Sequence, residues 1–193
     1  MSRFIAFLRA INAGPDRAVK MEFLRRVFKS LHFSDVTTFI ASGNVVFKAS
    51  AKNAKALEKK IEKGLRRALQ YEVAVFVRTD TELAKIANCR QFRQSEADGR
   101  DFNVILLADA LGESLRCKLM ALNTDTDEFS VSGREIYWLR RKKRSGVGFS
   151  SIPLEKTLCV PFTIRGGKTI KKMALRYACN VDFRIAGLRA NLK

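Results

Sequence analysis

Apolar and polar positions alternate along this chain at two spacings, one suited to strands and one to helices. The run Arg3–Leu8 predicts a strand of the alternating kind. After a loop carrying Asn12, Gly14 and Pro15, the apolar residues Met21, Leu24, Val27, Phe28 and Leu31 fall at helical spacing, with Arg25, Arg26 and Lys29 on the other side; this predicts a helix over 21–31. The β-branched and aromatic run Val36–Ile40 predicts a strand. Ser42-Gly43-Asn44 predicts a turn, because Gly and Asn tolerate positive φ, and Val45–Phe47 predicts the returning strand. Leu57, Ile61, Leu65 and Leu69 recur one turn apart and predict a long helix over 53–69. A strand over 72–77 follows. Thr79 with Glu82 three residues on is a capping-box signature, opening a short helix to about Ala87.

That order, β-α-β-β-α-β, is the ferredoxin-like supersecondary pattern. The segment Phe92–Asp101 is polar and poor in apolar residues, which places a boundary there. The second half repeats the order. Phe102–Ala108 predicts a strand, and Gly112–Leu122 a helix with Leu115, Leu119 and Leu122 inward. Phe129–Ser132 and Glu135–Leu139 predict a hairpin turning at Gly133-Arg134. Ile152–Cys159 predicts a short helix, Phe162–Arg165 a strand and Lys168–Ala178 a closing helix. The expected fold class is α+β, with two ferredoxin-like subdomains over 1–91 and 101–181 and a basic C-terminal extension over 182–193. The matching element order, with Ser-Gly at both hairpin tips, points to a duplication.

Charge changes this picture most. Among 193 residues there are 37 Lys plus Arg against 19 Asp plus Glu, a formal net charge of +18. A soluble domain needs a net charge of magnitude only about 2 to 8. A larger surplus repels itself unless a polyanion offsets it. The 47% hydrophobic content excludes a disordered chain, and 11 Gly with 3 Pro exclude a collagen-like one. No apolar run is long enough to span a bilayer, and Arg9 interrupts the apolar start too early for a signal peptide, so no membrane association is expected. Cys89, Cys117, Cys159 and Cys179 are far apart and His32 is the single histidine, so no metal site and no cofactor are expected. Buried, reduced thiols in a cytoplasmic protein are the expectation.

Four stretches could hold anions. Arg140, Arg141, Lys142, Lys143 and Arg144 form an unbroken cationic run ahead of Gly146 and Gly148, with Ser150 or Ser151 placed to cap the next helix. It reads equally as a phosphate-binding loop and as a solvated surface loop. Arg165-Gly166-Gly167-Lys168-Thr169 joins a strand to a helix. A Walker A loop needs glycine where Phe162 stands, so a nucleotide-triphosphate loop is rejected, leaving a generic anion site at a helix N-terminus. Lys168, Lys171, Lys172 and Arg176 share one face of the last helix, and Lys55, Lys59, Lys60, Lys63, Arg66 and Arg67 outnumber Glu58 and Glu62 on the long helix. Catalytic signatures are absent. His32 reads as a helix-end residue, and Asp125 and Asp127 as incidental loop charges.

Leu8-Arg9-Ala10-Ile11-Asn12-Ala13-Gly14 and Ile40-Ala41-Ser42-Gly43-Asn44-Val45-Val46-Phe47 resemble the L-R-G-I-N-V-G and I-Q-S-G-N-V-V-F motifs of a bacterial family known as domain of unknown function 1697. The resemblance implies two α+β subdomains with ferredoxin-like similarity and carries no activity. Thr163, Arg165 and Thr169 match the family's later T-T-R-N-W-N-T, whereas its asparagines and tryptophan are replaced. Gly146-Val147-Gly148-Phe149-Ser150-Ser151-Ile152 lacks the lysine of the family's Gly-x-Gly-x-Ser-Lys-Leu, and Ala10 replaces a glycine. If the family shares a pocket, Arg9, Asn12, Ser42, Asn44, Arg165 and Thr169 are its surviving polar members.

Taken together, the residues lead us to expect a basic cytoplasmic protein that binds DNA or RNA through phosphates, without catalysis. Arg140–Arg144, Lys171, Lys172 and Arg176 would be the nucleic-acid contacts. The alternative is an enzyme or sensor for a small phosphorylated ligand held between the subdomains by Arg9, Asn12, Ser42, Asn44 and residues Arg165–Thr169. A scaffold for an acidic protein partner is the third reading.

Overall fold

A computed structural model describes residues 1–12, 18–50, 53–141 and 153–178. The first half runs β1 (Ser2–Leu8), α1 (Met21–Ser30), β2 (Ser34–Thr38), β3 (Asn44–Ala49), α2 (Ala54–Leu69), β4 (Val75–Thr79), α3 (Asp80–Ala87) and α4 (Arg90–Asp98). The second runs β5 (Asp101–Leu107), α5 (Glu113–Met120), β6 (Asp127–Ser132), β7 (Glu135–Arg140), α6 (Leu154–Leu158), β8 (Phe162–Gly166) and α7 (Gly167–Tyr177). The result is a mixed α+β protein with two four-stranded antiparallel sheets, ordered β2-β3-β1-β4 and β6-β7-β5-β8.

Both faces of each sheet are apolar, so β1 is buried on both sides from Phe4 to Leu8 rather than on alternate positions, as the apolar run of β5 also is. Phe4, Ala6 and Leu8 of β1 point toward α1 and α2, where they meet Leu24, Phe28, Leu57, Ile61 and Leu65. Ile5 and Phe7 point the other way, into a middle layer shared with Val104 and Leu106 of β5. Ile105 and Leu107 of β5 face the outer layer, with Leu119, Trp138, Leu154 and Leu158. The helices that follow the fourth strand of each half, α3 and α7, pack against one another in the middle layer.

The helix ends follow local chemistry. Asn53 caps α2, its side-chain oxygen accepting from the Lys55 N–H at 2.9 Å. The Thr79–Glu82 capping box at α3 is present in both directions. Gly167 opens α7 where a Cβ would lie 3.0 Å from the Phe92 and Phe102 rings, a tight contact that favours glycine at the close approach of this helix to β5.

Three expectations need correction. The polar segment 92–101 is largely helix: α4 buries Phe92 and Ser95, and the Cys89 thiol accepts from the Phe92 N–H. The thiols are not uniformly buried, since Cys117 and Cys159 are exposed and Cys89 is half-buried. The shared Ser-Gly dipeptides are also not equivalent. Phe7 pairs with Asn44 and Leu106 with Glu135, which sets Ser42-Gly43-Asn44 opposite Gly133-Arg134-Glu135, one residue out of step with the dipeptide match. The element order, rather than the dipeptide, carries the repeat. Gly14, Pro15, Cys179, the Lys142–Ile152 stretch and the 182–193 extension lie outside the described residues.

Candidate anion-binding site

Arg165 projects from β8 into the first half and is buried. Its Nε donates to Asn44 Oδ1 at 2.6 Å, Nη1 to Thr163 Oγ1 and the Ile164 carbonyl, and Nη2 to the carbonyls of Leu8 and Ser42. A guanidinium has five N–H donors, and all five are used. Every acceptor is neutral, and burial pulls the Arg165 pKa down to about 10. Asn44 is equally committed: its amide nitrogen donates to the Phe39 carbonyl and to Ser42 Oγ. Asn12 donates to the carbonyls of Val19 and Ala41 and accepts from the Val19 N–H. Arg165, Asn44 and Ser42 thus meet, as the sequence reading requires, but as a closed strut between the halves. Asn12 lies in the adjoining loop and is joined to its backbone.

Gly166, Gly167, Lys168 and Thr169 sit at the β8–α7 junction. Gly166 is the N-cap and offers no side-chain bond, Gly167 is buried, Lys168 is exposed and Thr169 is half-buried. Of the expected nucleic-acid contacts, Arg140 is turned inward onto Asp127 at 3.4 Å and over the Trp138 ring. Lys171 pairs with Glu96 of α4. Arg141, Lys172 and Arg176 are exposed. Lys142, Lys143 and Arg144 lie outside the described residues. The basic faces of α2 and α7 lie on opposite faces of the first sheet, because α2 covers the outer layer and α7 the middle one.

A concave site does form, in a different place. Arg9 and Ala10 leave β1 beside the start of β4, where the Arg9 N–H donates to the Ala74 carbonyl. Lys59, Lys63 and Arg66 lie on one exposed face of α2, spaced by one and two turns. Together with Glu62, Glu72, Val73, Ala74 and Pro161 they line a cleft of about 900 Å³. The two carboxylates are spoken for: Glu62 accepts from the Val75 N–H, and Glu72 pairs with Arg66 at 3.2 Å. Arg9 reaches Glu155 of α6 at 2.8 Å, across to the second half. Among the described residues Lys59 and Lys63 have no salt bridge.

One residue goes unnoticed in the sequence and another reads there as an incidental loop charge. Arg78 of β4, wholly buried, donates to Glu135 at 2.6 Å and to the carbonyls of Leu107 and Arg134. Asp127 accepts from Trp138 Nε1 at 2.8 Å, so it anchors the second core rather than decorating a loop. Its Arg-in-a-strand setting was the signal for Arg78: Val75-Phe-Val-Arg78-Thr and Phe162-Thr-Ile-Arg165-Gly have the same shape and precede the same kind of helix.

Comparison with known proteins agrees with this architecture. The model of a family described as "Protein of unknown function (DUF1697)" matches residues 1–137. A solved structure described as conserved bacterial protein SP0830 from Streptococcus pneumoniae superposes with a TM-score of 0.71 at 19% identity, over 91% of this chain and 97% of that one. No curated protein matches.

Proposed function

Since the chain belongs to the DUF1697 family, a family of unknown function, its role has to be argued from its own surface, and we propose that it binds nucleic acid through sequence-independent phosphate contacts, without catalysis. The single observation behind this reading is the pair of exposed, unbridged lysines, Lys59 and Lys63, set one turn apart beside Arg9 and Arg66 in a chain of net charge +18. Like charges one turn apart repel, and an anion between them turns that repulsion into attraction. Lys172, Arg176 and Arg141 extend the basic surface elsewhere. We also read each half, over 1–91 and 101–181, as a ferredoxin-like subdomain, on the strength of the repeated strand order. Arg9 alone of the earlier anion-site residues lines the cleft, so the contact set shifts from Arg165 and Asn44 to α2.

The test is a salt titration against mixed-sequence oligonucleotides. Log affinity should fall linearly with log salt, by about 0.9 for each phosphate neutralised on a duplex, with little preference between sequences. Absence of binding at low salt, or binding that survives molar salt, would overturn the reading. The alternative, a small phosphorylated ligand, is favoured by one observation: the cleft is lined from both halves, through Arg9 and Pro161.

A further inference from the structure

We infer that the cleft between α2, the β1 end and Pro161 is a terminal-phosphate site: it takes a phosphate monoester dianion, either on a free nucleotide or at the end of a strand. The inference rests on the phosphate-binding reading and narrows it to one place and one charge state.

Charge matching is the first argument. Of the four cations that line the cleft, Arg9 is paired with Glu155 and Arg66 with Glu72, which leaves the two positive charges of Lys59 and Lys63 without a salt bridge among the described residues. A phosphate monoester carries about −1.5 to −2 at neutral pH, whereas each internal phosphodiester of a strand carries one negative charge. Donor availability is the second. Glu62 and Glu72 already satisfy the Val75 N–H and Arg66, so the uncommitted charge is concentrated on Lys59 and Lys63, whose ammonium groups each bring three donors. Arg9 is held by a carboxylate that is itself well exposed, so its guanidinium is within easy reach of an exchange of partners. Shape is the third. The volume of about 900 Å³ lies within the range of small-ligand sites, and Ala10, Val73, Ala74 and Pro161 give an apolar wall for the body that carries the phosphate. An extended strand needs no such concavity, whereas a chain end or a free nucleotide can enter it.

The probes are a terminally phosphorylated oligonucleotide against its hydroxyl-ended counterpart, and adenosine monophosphate against adenosine. Binding is measured by fluorescence anisotropy for the strands and by calorimetry for the nucleosides. In the full chain, the phosphorylated member of at least one pair should bind about tenfold tighter. A preference in both pairs assigns the phosphate alone as the determinant; a preference confined to one names the strand end or the free nucleotide as the source. Lys59→Gln and Lys63→Gln, both on an exposed helix face and harmless to the core, should abolish the preference, while Lys118→Gln on α5 should keep it. Equal binding within both pairs, or a preference that survives Lys59→Gln with Lys63→Gln, would overturn the inference. Strand binding that persists without end preference would leave the broader phosphate reading standing while this one falls.

Discussion

Arg78 and Arg165 occupy equivalent positions in the two halves, and each crosses into the other half to make the same contacts. Arg78 pairs in register with Ile5 and Arg165 with Val104, the fourth residue of β1 and of β5. Arg165 bonds the carbonyl of Leu8, the last residue of β1, and the hairpin residues Ser42 and Asn44; Arg78 bonds the carbonyl of Leu107, the last residue of β5, and the hairpin residues Arg134 and Glu135. Asn44 and Glu135 are counterparts by strand register. A repeated unit has exchanged one buried guanidinium in each direction.

The two struts are not chemically alike. Arg78 faces a carboxylate, while Arg165 is held by neutral oxygens alone. Replacing Arg165 with Met keeps the stem volume but strips donors from Leu8, Ser42, Thr163, Ile164 and Asn44. Buried acceptors left without partners are costly, so Arg165→Met should lower unfolding free energy by about 3 kcal/mol or more. Arg165→Lys should recover only part of this, since an ammonium cannot reproduce the planar fork. Urea denaturation decides it, and a loss under about 0.5 kcal/mol would show that the strut contributes little.

Mutual exchange should also make the halves unfold together. Trp138 is the one tryptophan and is fully buried in the outer core of the second half, so its emission reports that half. Far-ultraviolet circular dichroism reports both. The two transitions should coincide in the wild type and separate in Arg78→Met with Arg165→Met, where the two buried guanidinium struts no longer join the sheets. Separate transitions in the unaltered protein would contradict a cooperative weld.

Periodicity made most elements readable, because each strand and helix buries a face long enough to set its spacing. The helix α4 was not readable: it buries Phe92 and Ser95 alone, and its cap is a thiol. Arg78 was hidden for another reason. A charged residue in a strand looks like a solvent-facing position until its partner is known, and Glu135 lies 57 residues away. For the cleft, the α2 cations and Arg9 were each visible in the sequence. Their convergence depends on β1 pairing with β4, which brings Arg9 to Ala74 beneath α2. No local pattern encodes that pairing.

Gly167 separates packing from binding at the β8–α7 junction. Its position in an anion motif would make Gly167→Ala a binding variant, yet a Cβ there meets two aromatic rings. Those rings lie at right angles, 5.1 Å apart between centroids, in the middle layer. Overpacking typically costs about 1 to 3 kcal/mol. Gly167→Ala should therefore lose that much stability while the salt-dependent affinity of the folded protein is unchanged. Reduced affinity at unchanged stability would restore the junction as a ligand site.

Glu58 gives the fold a pH dependence with a definite sign. Its carboxylate accepts from the Val77 N–H at 2.8 Å and lies 3.7 Å from Arg134, both of which favour ionisation. Burial between α2 and β4 outweighs them, and the carboxyl is held above its ordinary 4.5. The folded state then binds its proton more tightly than the unfolded chain does. Its contribution to stability is fully present below pH 4.5 and is lost as pH rises through the folded value. Glu58→Gln keeps an acceptor for Val77 and cannot ionise, so it removes this loss. Denaturation of the two proteins across a pH series should show the variant gaining on the wild type as pH rises past 4.5, with the difference levelling off once Glu58 is ionised in both states. A constant difference, or one that moves the other way, would mean that Arg134 and the Val77 amide outweigh desolvation at this carboxyl.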